Sequence, residues 1–217
     1  MKTVYISFNL KSINCSTNDM STYEQDYKLV YKPLIQFLYS HEDFPFSFSL
    51  NGNLLYYFRN RKTEILSILK VLIERKQIEI IGGGFYDPIL PLIFPADRNG
   101  QIDLLSTEIR HLLGKRPRGI TIHSDVWDPN IISTVHTCGI EYILLDSSVI
   151  QEDKQLYLPL VVSDLGNSVD IYPCYSNLKP TIDTLPEDFI KNILSCVQKV
   201  EEDNPIFENK TDRIIKF

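Results

Sequence analysis

Side chains able to move protons, carry charge or bind a ligand gather at three places in this chain. The densest is His123-Ser124-Asp125-Val126-Trp127-Asp128-Pro129. Its His123 and Asp125 form a His-x-Asp pair of a kind that can ligate a metal. A metal site takes three or four ligands, however, and no His-x-x-x-His accompanies this pair. The remaining histidines, His41, His111 and His136, fall in predicted helices or helix ends, so no metal site is expected. The second place is Glu79 and Asp87, on either side of Gly82-Gly83-Gly84. Either carboxylate has a purely structural alternative. Glu79 can pair with a base such as Arg118, and Asp87 can cap the turn before Pro88. The third place is Asp146-Ser147-Ser148.

The elements that must position these groups alternate strand and helix, the pattern of a largely parallel sheet or barrel. Strands are predicted at Val4–Phe8, Phe44–Leu50, Ile78–Ile81, Gly119–His123 and Tyr142–Leu145. Asn51-Gly52-Asn53 is read as a turn closing the second strand. Helices are predicted at Thr22–Ser40, Lys62–Lys76, Asn99–Leu113 and Pro129–Cys138. In Lys62–Lys76 the apolar residues Ile65, Ile68, Leu69 and Leu72 share one face. Shorter extended pieces follow at Leu156–Val162 and Val169–Tyr172, then a helix at Pro186–Glu202. A last strand, Arg213–Phe217, ends the chain. The expectation is one domain over residues 1–217, a barrel cut short on its C-terminal side.

Composition bounds the partners. Hydrophobic residues make up 43% and charged residues 23% of 217, ordinary for a globular protein. A net charge of -6 disfavours nucleic acid, which needs a clustered basic surface. No apolar run approaches the roughly 20 residues that span a bilayer, and the N-terminus reads as a strand rather than a secretory signal. Cys15, Cys138, Cys174 and Cys196 are scattered without a C-x-x-C pair, which fits reduced thiols in the cytoplasm.

Two stretches carry a recognisable pattern. One is Ile78-Glu79-Ile80-Ile81-Gly82-Gly83-Gly84-Phe85-Tyr86-Asp87-Pro88-Ile89-Leu90-Pro91. The other runs from Arg116-Pro117-Arg118-Gly119 through Val126-Trp127-Asp128-Pro129 to Gly139-Ile140-Glu141-Tyr142 and on to Asp146. With Tyr31-Lys32-Pro33 and Asn51-Gly52-Asn53-Leu54-Leu55 upstream, they resemble the N-terminal catalytic region of glycoside hydrolase family 57, collinearly over about residues 1–150. The resemblance implies an α/β fold: an incomplete or distorted parallel (β/α)7-type barrel, with the active site at the C-terminal ends of its strands. It also implies action on α-1,4 or α-1,6 glucans with retention of configuration and without cofactor or metal. Retention needs two carboxyl groups about 5 Å apart, one to attack carbon and one to handle the proton.

Tested against that pattern, the family's nucleophilic Glu is replaced here by Ser124, so no catalytic residue is assigned. A serine hydroxyl offers no low-pKa anion to an oxocarbenium-like transition state. Asp125 is one residue further on, and in a continuing strand its side chain points to the opposite face. Asp128, before Pro129, reads as the start of the next helix. The acid/base Asp is expected beyond Arg213–Phe217, past the end of the chain. The family's histidine-rich segment corresponds to Lys11-Ser12-Ile13-Asn14-Cys15, and a further histidine to Ser49. Its Asp-Asp-x-His run corresponds to Asp146-Ser147-Ser148-Val149. Glu79, Asp87, Trp127 and Asp146 are left as substrate-binding candidates, with Trp127 either stacked on a sugar or packed in the core.

The expected function is that of a family 57 domain related to glycogen or maltodextrin metabolism and lacking catalysis. Two alternatives stand beside it. One is an active 4-α-glucanotransferase or α-amylase within a longer chain. The other is a non-enzymatic remnant that binds α-glucan, maltooligosaccharide or a protein partner, including self-association through the barrel edge expected at Arg213–Phe217.

Overall fold

In the computed structural model, residues 3–11, 20–150, 159–175, 185–203 and 212–216 are described. β1 (Thr3–Lys11) leads toward a long helical stretch made of α1 (Met20–Asp26), a π turn (Tyr27–Tyr31) and α2 (Lys32–Ser40). The π turn has a local cause. Pro33 lacks an N–H and crowds the carbonyl four residues before it. Widening the preceding turn, so that the Lys32 N–H reaches Tyr27 O, lets the helix run on through the proline.

β2 (Phe46–Ser49) is followed by α3 (Gly52–Arg61) and α4 (Thr63–Glu74), then β3 (Ile78–Ile81). The expected Asn51-Gly52-Asn53 turn is instead a helix start. Asn51 has extended backbone (φ -109, ψ 170) and its side chain accepts from the Leu54 N–H at 2.9 Å, the geometry of an N-cap. α5 (Pro95–Leu113) stops at Gly114, whose φ of 83 suits glycine. β4 (Gly119–Thr121), α6 (Ile132–Thr137) and β5 (Tyr142–Asp146) follow. β6 (Leu160–Asp164) and β7 (Asn167–Cys174) form an antiparallel hairpin through Leu165 and Gly166, both at positive φ. α7 (Pro186–Asp203) and β8 (Asp212–Lys216) come last. The predicted start of the first hairpin strand, Leu156 to Leu158, lies outside the described residues.

Among the described residues the sheet order is β3-β2-β1-β8-β7-β5-β4, parallel throughout, with β6 added to β7. Its two ends meet at a single parallel bridge, Gly82 to Ile120, rather than along a ladder. Gly82 N–H donates to Gly119 O at 2.8 Å and Thr121 N–H to Gly82 O at 3.0 Å. The result is a distorted, barely joined ring. Glycines allow this approach: a Cβ on Gly83 would lie 3.2 Å from Thr121 O, and one on Gly119 would overlap the Tyr142 ring.

One expectation is overturned here. Arg213–Phe217 was to be an open edge, but β8 lies between β1 and β7. Thr3 to Ser7 pair with Asp212 to Lys216, and Cys174 pairs with Lys216. The crossover through α7 returns the chain to the gap beside β1, so this strand lies inside the sheet order rather than at its end.

Strand alternation separates two environments. On β3, Ile78 and Ile80 face outward into a core shared with α2, α3, α4 and α5. On β5, Ile143 and Leu145 face outward with Ile120, Ile131, Val135 and Ile171. The opposite faces turn into the ring, where Ile81, Tyr142 and Leu144 pack with Tyr172 and Cys174. Beside them the interior is polar. The Asn9 side-chain oxygen accepts from the hydroxyls of Ser47 and Ser49 at 3.2 and 3.1 Å. No helix among the described residues is long and apolar enough to cross a membrane.

Candidate active site

Ligands of parallel α/β folds bind at the C-terminal ends of the strands. Here that end is ringed by Lys11, Ser49, Ile81, Thr121, Asp146 and Cys174, the last residues of β1, β2, β3, β4, β5 and β7. The loop after each strand determines what reaches the opening.

The loop after β4 carries the nucleophile position. β4 stops at Thr121, and His123–Asp125 is a single tight turn in which Ser124 (φ 54) and Asp125 (φ 52) are both left-handed. Ser124 is solvent-exposed. The turn swings Asp125 round to Lys11. Its carboxylate oxygens lie 3.5 and 3.4 Å from Lys11 Nζ, which also donates to Ile122 O at 2.6 Å. Asp125 was expected to point away from the opening. Strict alternation applies only while a strand continues, and this strand ends four residues earlier. β1 and β4 are separated in the sheet by β2 and β3, so Lys11 reaches across the opening.

Glu79 faces the interior one inward position below Ile81, level with Ser47 and Asn9. It lies beside Tyr142, and burial followed by the Glu79 charge pushes that phenol well up from its ordinary range. The structural alternative for Glu79, a pair with Arg118, does not form. Arg118 instead forks onto Glu141, with Nε 2.9 Å from both carboxylate oxygens and the other limb of the fork on Oε2. That bond holds the Glu141 carboxyl below the usual carboxylate range. The β4–β5 register, which pairs Gly119 with Tyr142, sets Arg118 directly beside Glu141.

Asp87 lies in the loop after the glycine run, at φ 51. Asn51 Nδ2 donates to its Oδ2 at 3.0 Å while Asn51 Oδ1 caps α3. One buried amide therefore ties the loop after β2 to the loop after β3. Trp127 is half-buried and packs against the apolar cluster under α5 and α6. Asp146 is half-buried at the end of β5, on the inward face, and accepts from the Ser148 N–H and hydroxyl at 2.9 and 2.6 Å. The structure therefore brings Lys11, Asp125 and Asp146 to the opening, Glu79 to the layer beneath, Asp87 to its rim, and Trp127 to the apolar cluster under α5 and α6.

Among the described residues no group of three or more His, Cys, Asp or Glu is placed to hold a metal. Cys138 and Cys174 are both half-buried. Burial pushes the Cys138 thiol up to about 11, so it stays protonated at neutral pH. Sequence reasoning missed Lys11 and Asn51 as site residues. For Asn51 the signal was present, since Leu54, Leu55, Tyr57 and Phe58 follow it at helical spacing. For Lys11 there was none, because its partner is 114 residues away.

The model of glycosyl hydrolase family 57 matches residues 2–203. The chain belongs to glycosyl hydrolase family 57. It is 32% identical to alpha-amylase 1 of Dictyoglomus thermophilum over 182 residues, 82% of this chain and 26% of that protein. It is 28% identical to the 4-alpha-glucanotransferase of Thermococcus litoralis over 187 residues, 84% of this chain and 28% of the relative. The crystal structure of 4-alpha-glucanotransferase from Thermococcus litoralis superposes with a TM-score of 0.79 at 24% identity, over 98% of this chain and 32% of that one. A putative polysaccharide deacetylase from Mycobacterium smegmatis shares the fold at a TM-score of 0.68 and 11% identity. This family 57 chain thus spans about a quarter of the length of the curated relatives it matches.

Proposed function

We propose that this family 57 chain binds α-glucan at the opening of its ring and does not itself cleave it. The observation that carries this reading is the turn after β4. At the family's nucleophile position stands Ser124, exposed on a left-handed turn, and the adjacent Asp125 is neutralised by Lys11 at 3.4 Å. A retaining mechanism needs two carboxyl groups about 5 Å apart across the scissile bond, one of them free to attack. Asp125 reaches the opening, but in an ion pair, where its charge serves Lys11 rather than an oxocarbenium-like carbon.

Glucan recognition rests on the family itself, whose matched relatives are named for α-glucan chemistry. Asp146 on the inward face and Asp87 at the rim have carboxylate oxygens suited to sugar hydroxyls. The test pairs calorimetry with product analysis. Maltoheptaose should bind with measurable heat and emerge from long incubation unchanged. Any shortened or elongated oligosaccharide above the level of a Ser124→Ala control refutes the non-cleaving reading.

A second reading, activity within a longer chain, is favoured by the length of the relatives, of which 26–28% is matched. It predicts an open reading frame that continues with an Asp-x-Glu motif, and activity that rises when Ser124→Glu is made in that longer protein.

A further inference from the structure

Beside the ring's opening lies a second concavity of about 370 Å³, lined by Met20, Tyr23, Gly52, Asn53, Tyr56, Phe85 and Tyr86. Gly52 and Asn53 open α3, directly after β2. Phe85 and Tyr86 follow the glycine run after β3. The concavity therefore sits at the same end of the ring as the opening, outside the exits of two adjacent strands.

Its walls are fixed from three sides. Gly52 N–H donates to Phe85 O at 2.8 Å, and Phe85 N–H to Gln101 O at 3.1 Å. Tyr86 N–H donates to Gln101 Oε1 at 2.9 Å. The Phe85 ring fills the space a Cβ on residue 52 would need, so glycine there lets the aromatic floor close against α3. Tyr23 is stacked on Tyr57 with centroids 5.5 Å apart. On this rigid base Tyr56 and Tyr86 remain 51% and 59% exposed, and Arg59 sits over the Tyr56 ring at 5.6 Å. Tyr86 also packs edge-on against Phe85, with ring centroids 4.8 Å apart, yet half or more of each tyrosine stays open to solvent, and pockets of about 300–1,000 Å³ with aromatic walls and a few polar groups are typical ligand sites.

The lining also selects the ligand. Among the described residues it carries no charged side chain, which disfavours phosphates, carboxylates and nucleotides. It offers flat aromatic faces, phenolic hydroxyls and the Asn53 amide. A pyranose has the matching chemistry, with an apolar face of C–H groups and a rim of neutral hydroxyls. We propose that this concavity is a remote glucan subsite, in which Tyr56 and Tyr86 hold a maltosyl unit of a linear α-glucan whose chain continues to the ring's opening. The proposal rests on the glucan-binding reading above and extends it to a second place on the surface.

The experiment is titration of the full chain with maltose and maltoheptaose by calorimetry, in the wild type and in Tyr56→Ala, Tyr86→Ala, Tyr56→Phe and Asp146→Ala variants. Circular dichroism checks that each variant is folded. Each tyrosine-to-alanine change should weaken maltoheptaose binding by about tenfold, the loss that follows from an aromatic contact of ~1.4 kcal/mol. Tyr56→Phe keeps the ring and should stay within about threefold of wild type, since it loses at most one weak hydrogen bond. Wild-type affinity in both alanine variants, with loss in Asp146→Ala, overturns the subsite and leaves the opening as the site. Loss in the tyrosine variants alone supports the subsite and overturns binding at the opening. A wild type that binds neither sugar overturns both.

Discussion

Lys11, the last residue of β1, and Asp125, in the turn after β4, form an ion pair at 3.4 Å across an opening that two intervening strands separate. Both side chains are about one-third exposed, at 30% and 34%, so solvent screens the pair and its contribution to stability is modest, roughly 0–1 kcal/mol. Its effect is positional. Together with the bond from Lys11 to Ile122 O, it anchors the turn that carries Ser124 and leaves Ser124 facing water.

Two substitutions at residue 124 separate strain from chemistry. A non-glycine residue in the left-handed region costs about 1 kcal/mol or more, and Ser124 stands at φ 54, ψ 18. Ser124→Gly should therefore raise stability by about 1 kcal/mol, seen as a higher urea midpoint with an unchanged slope. Ser124→Glu should restore the family's residue type without restoring hydrolysis in this chain, because the new carboxylate would stand on an exposed turn beside Lys11. Chromatography of a maltoheptaose digest checks this. Appearance of shorter oligosaccharides would mean the turn rearranges to aim residue 124 inward.

Asn51 tests the link between helix and loop. It is 3% exposed, caps α3 through Leu54 and holds Asp87 at 3.0 Å. Asn51→Ala removes a cap and leaves a buried loop contact unmade, costing about 2 kcal/mol. Asn51→Asp keeps the cap acceptor but sets a carboxylate against Asp87. In that variant one of the two folded-state pKa values rises above its unfolded value, so stability lost near neutral pH should return as pH falls through the carboxylate range. Urea melts at neutral and mildly acid pH measure the difference. A deficit that stays constant with pH would show that Asp87 does not face the new charge.

These two sites also mark how far the sequence was readable. β3 was predicted to the residue because a triple glycine ends it and Ile78 and Ile80 alternate with Glu79. The long helices followed from apolar spacing and from stops such as Gly114. α3 was missed because Asn-Gly-Asn also spells a turn, although the helical spacing of Leu54, Leu55, Tyr57 and Phe58 behind it favours a cap at Asn51 over a reversal. Contacts between distant elements were not readable. Arg118 chose Glu141 over Glu79 because strand register put residues 118 and 141 side by side. Asp125 turned toward Lys11 because β4 is only three residues long. β8 filled an interior gap although it was read as an edge, since strand order is decided by crossovers rather than local composition.

Acid should loosen the α1–α3–α4 corner in a predictable direction. The Tyr57 hydroxyl, 2.6 Å from Glu24, and next Lys62, at 3.1 Å, hold the Glu24 carboxyl down to about 2 from an ordinary 4.5. A carboxyl depressed in the folded state adds stability that is fully present above the unfolded pKa and is lost as pH falls from about 4.5 toward 2. Glu24→Gln should lower stability at neutral pH and flatten the acid limb of the curve between those values. A wild-type-like acid limb in the variant would mean that other carboxylates govern this region.

The joint between β3 and β4 is a single bridge rather than a ladder, and glycine contrasts probe it. A Cβ on Gly83 would sit 3.2 Å from the carbonyl of Thr121, a backbone atom fixed by the neighbouring bond from Thr121 N–H to Gly82 O at 3.0 Å. Gly83→Ala must push the strands apart where a single bridge joins them, at a cost of about 1–3 kcal/mol. Gly100 lies in α5 with nothing within 4 Å of an added Cβ, and Gly100→Ala should stabilise by roughly 0.5–1 kcal/mol through helix propensity. Hydrogen exchange adds a local readout: Gly83→Ala should speed exchange at the Thr121 amide, and Gly100→Ala should not. Equal behaviour of the two variants would show that the sheet does not depend on this contact to bring its ends together.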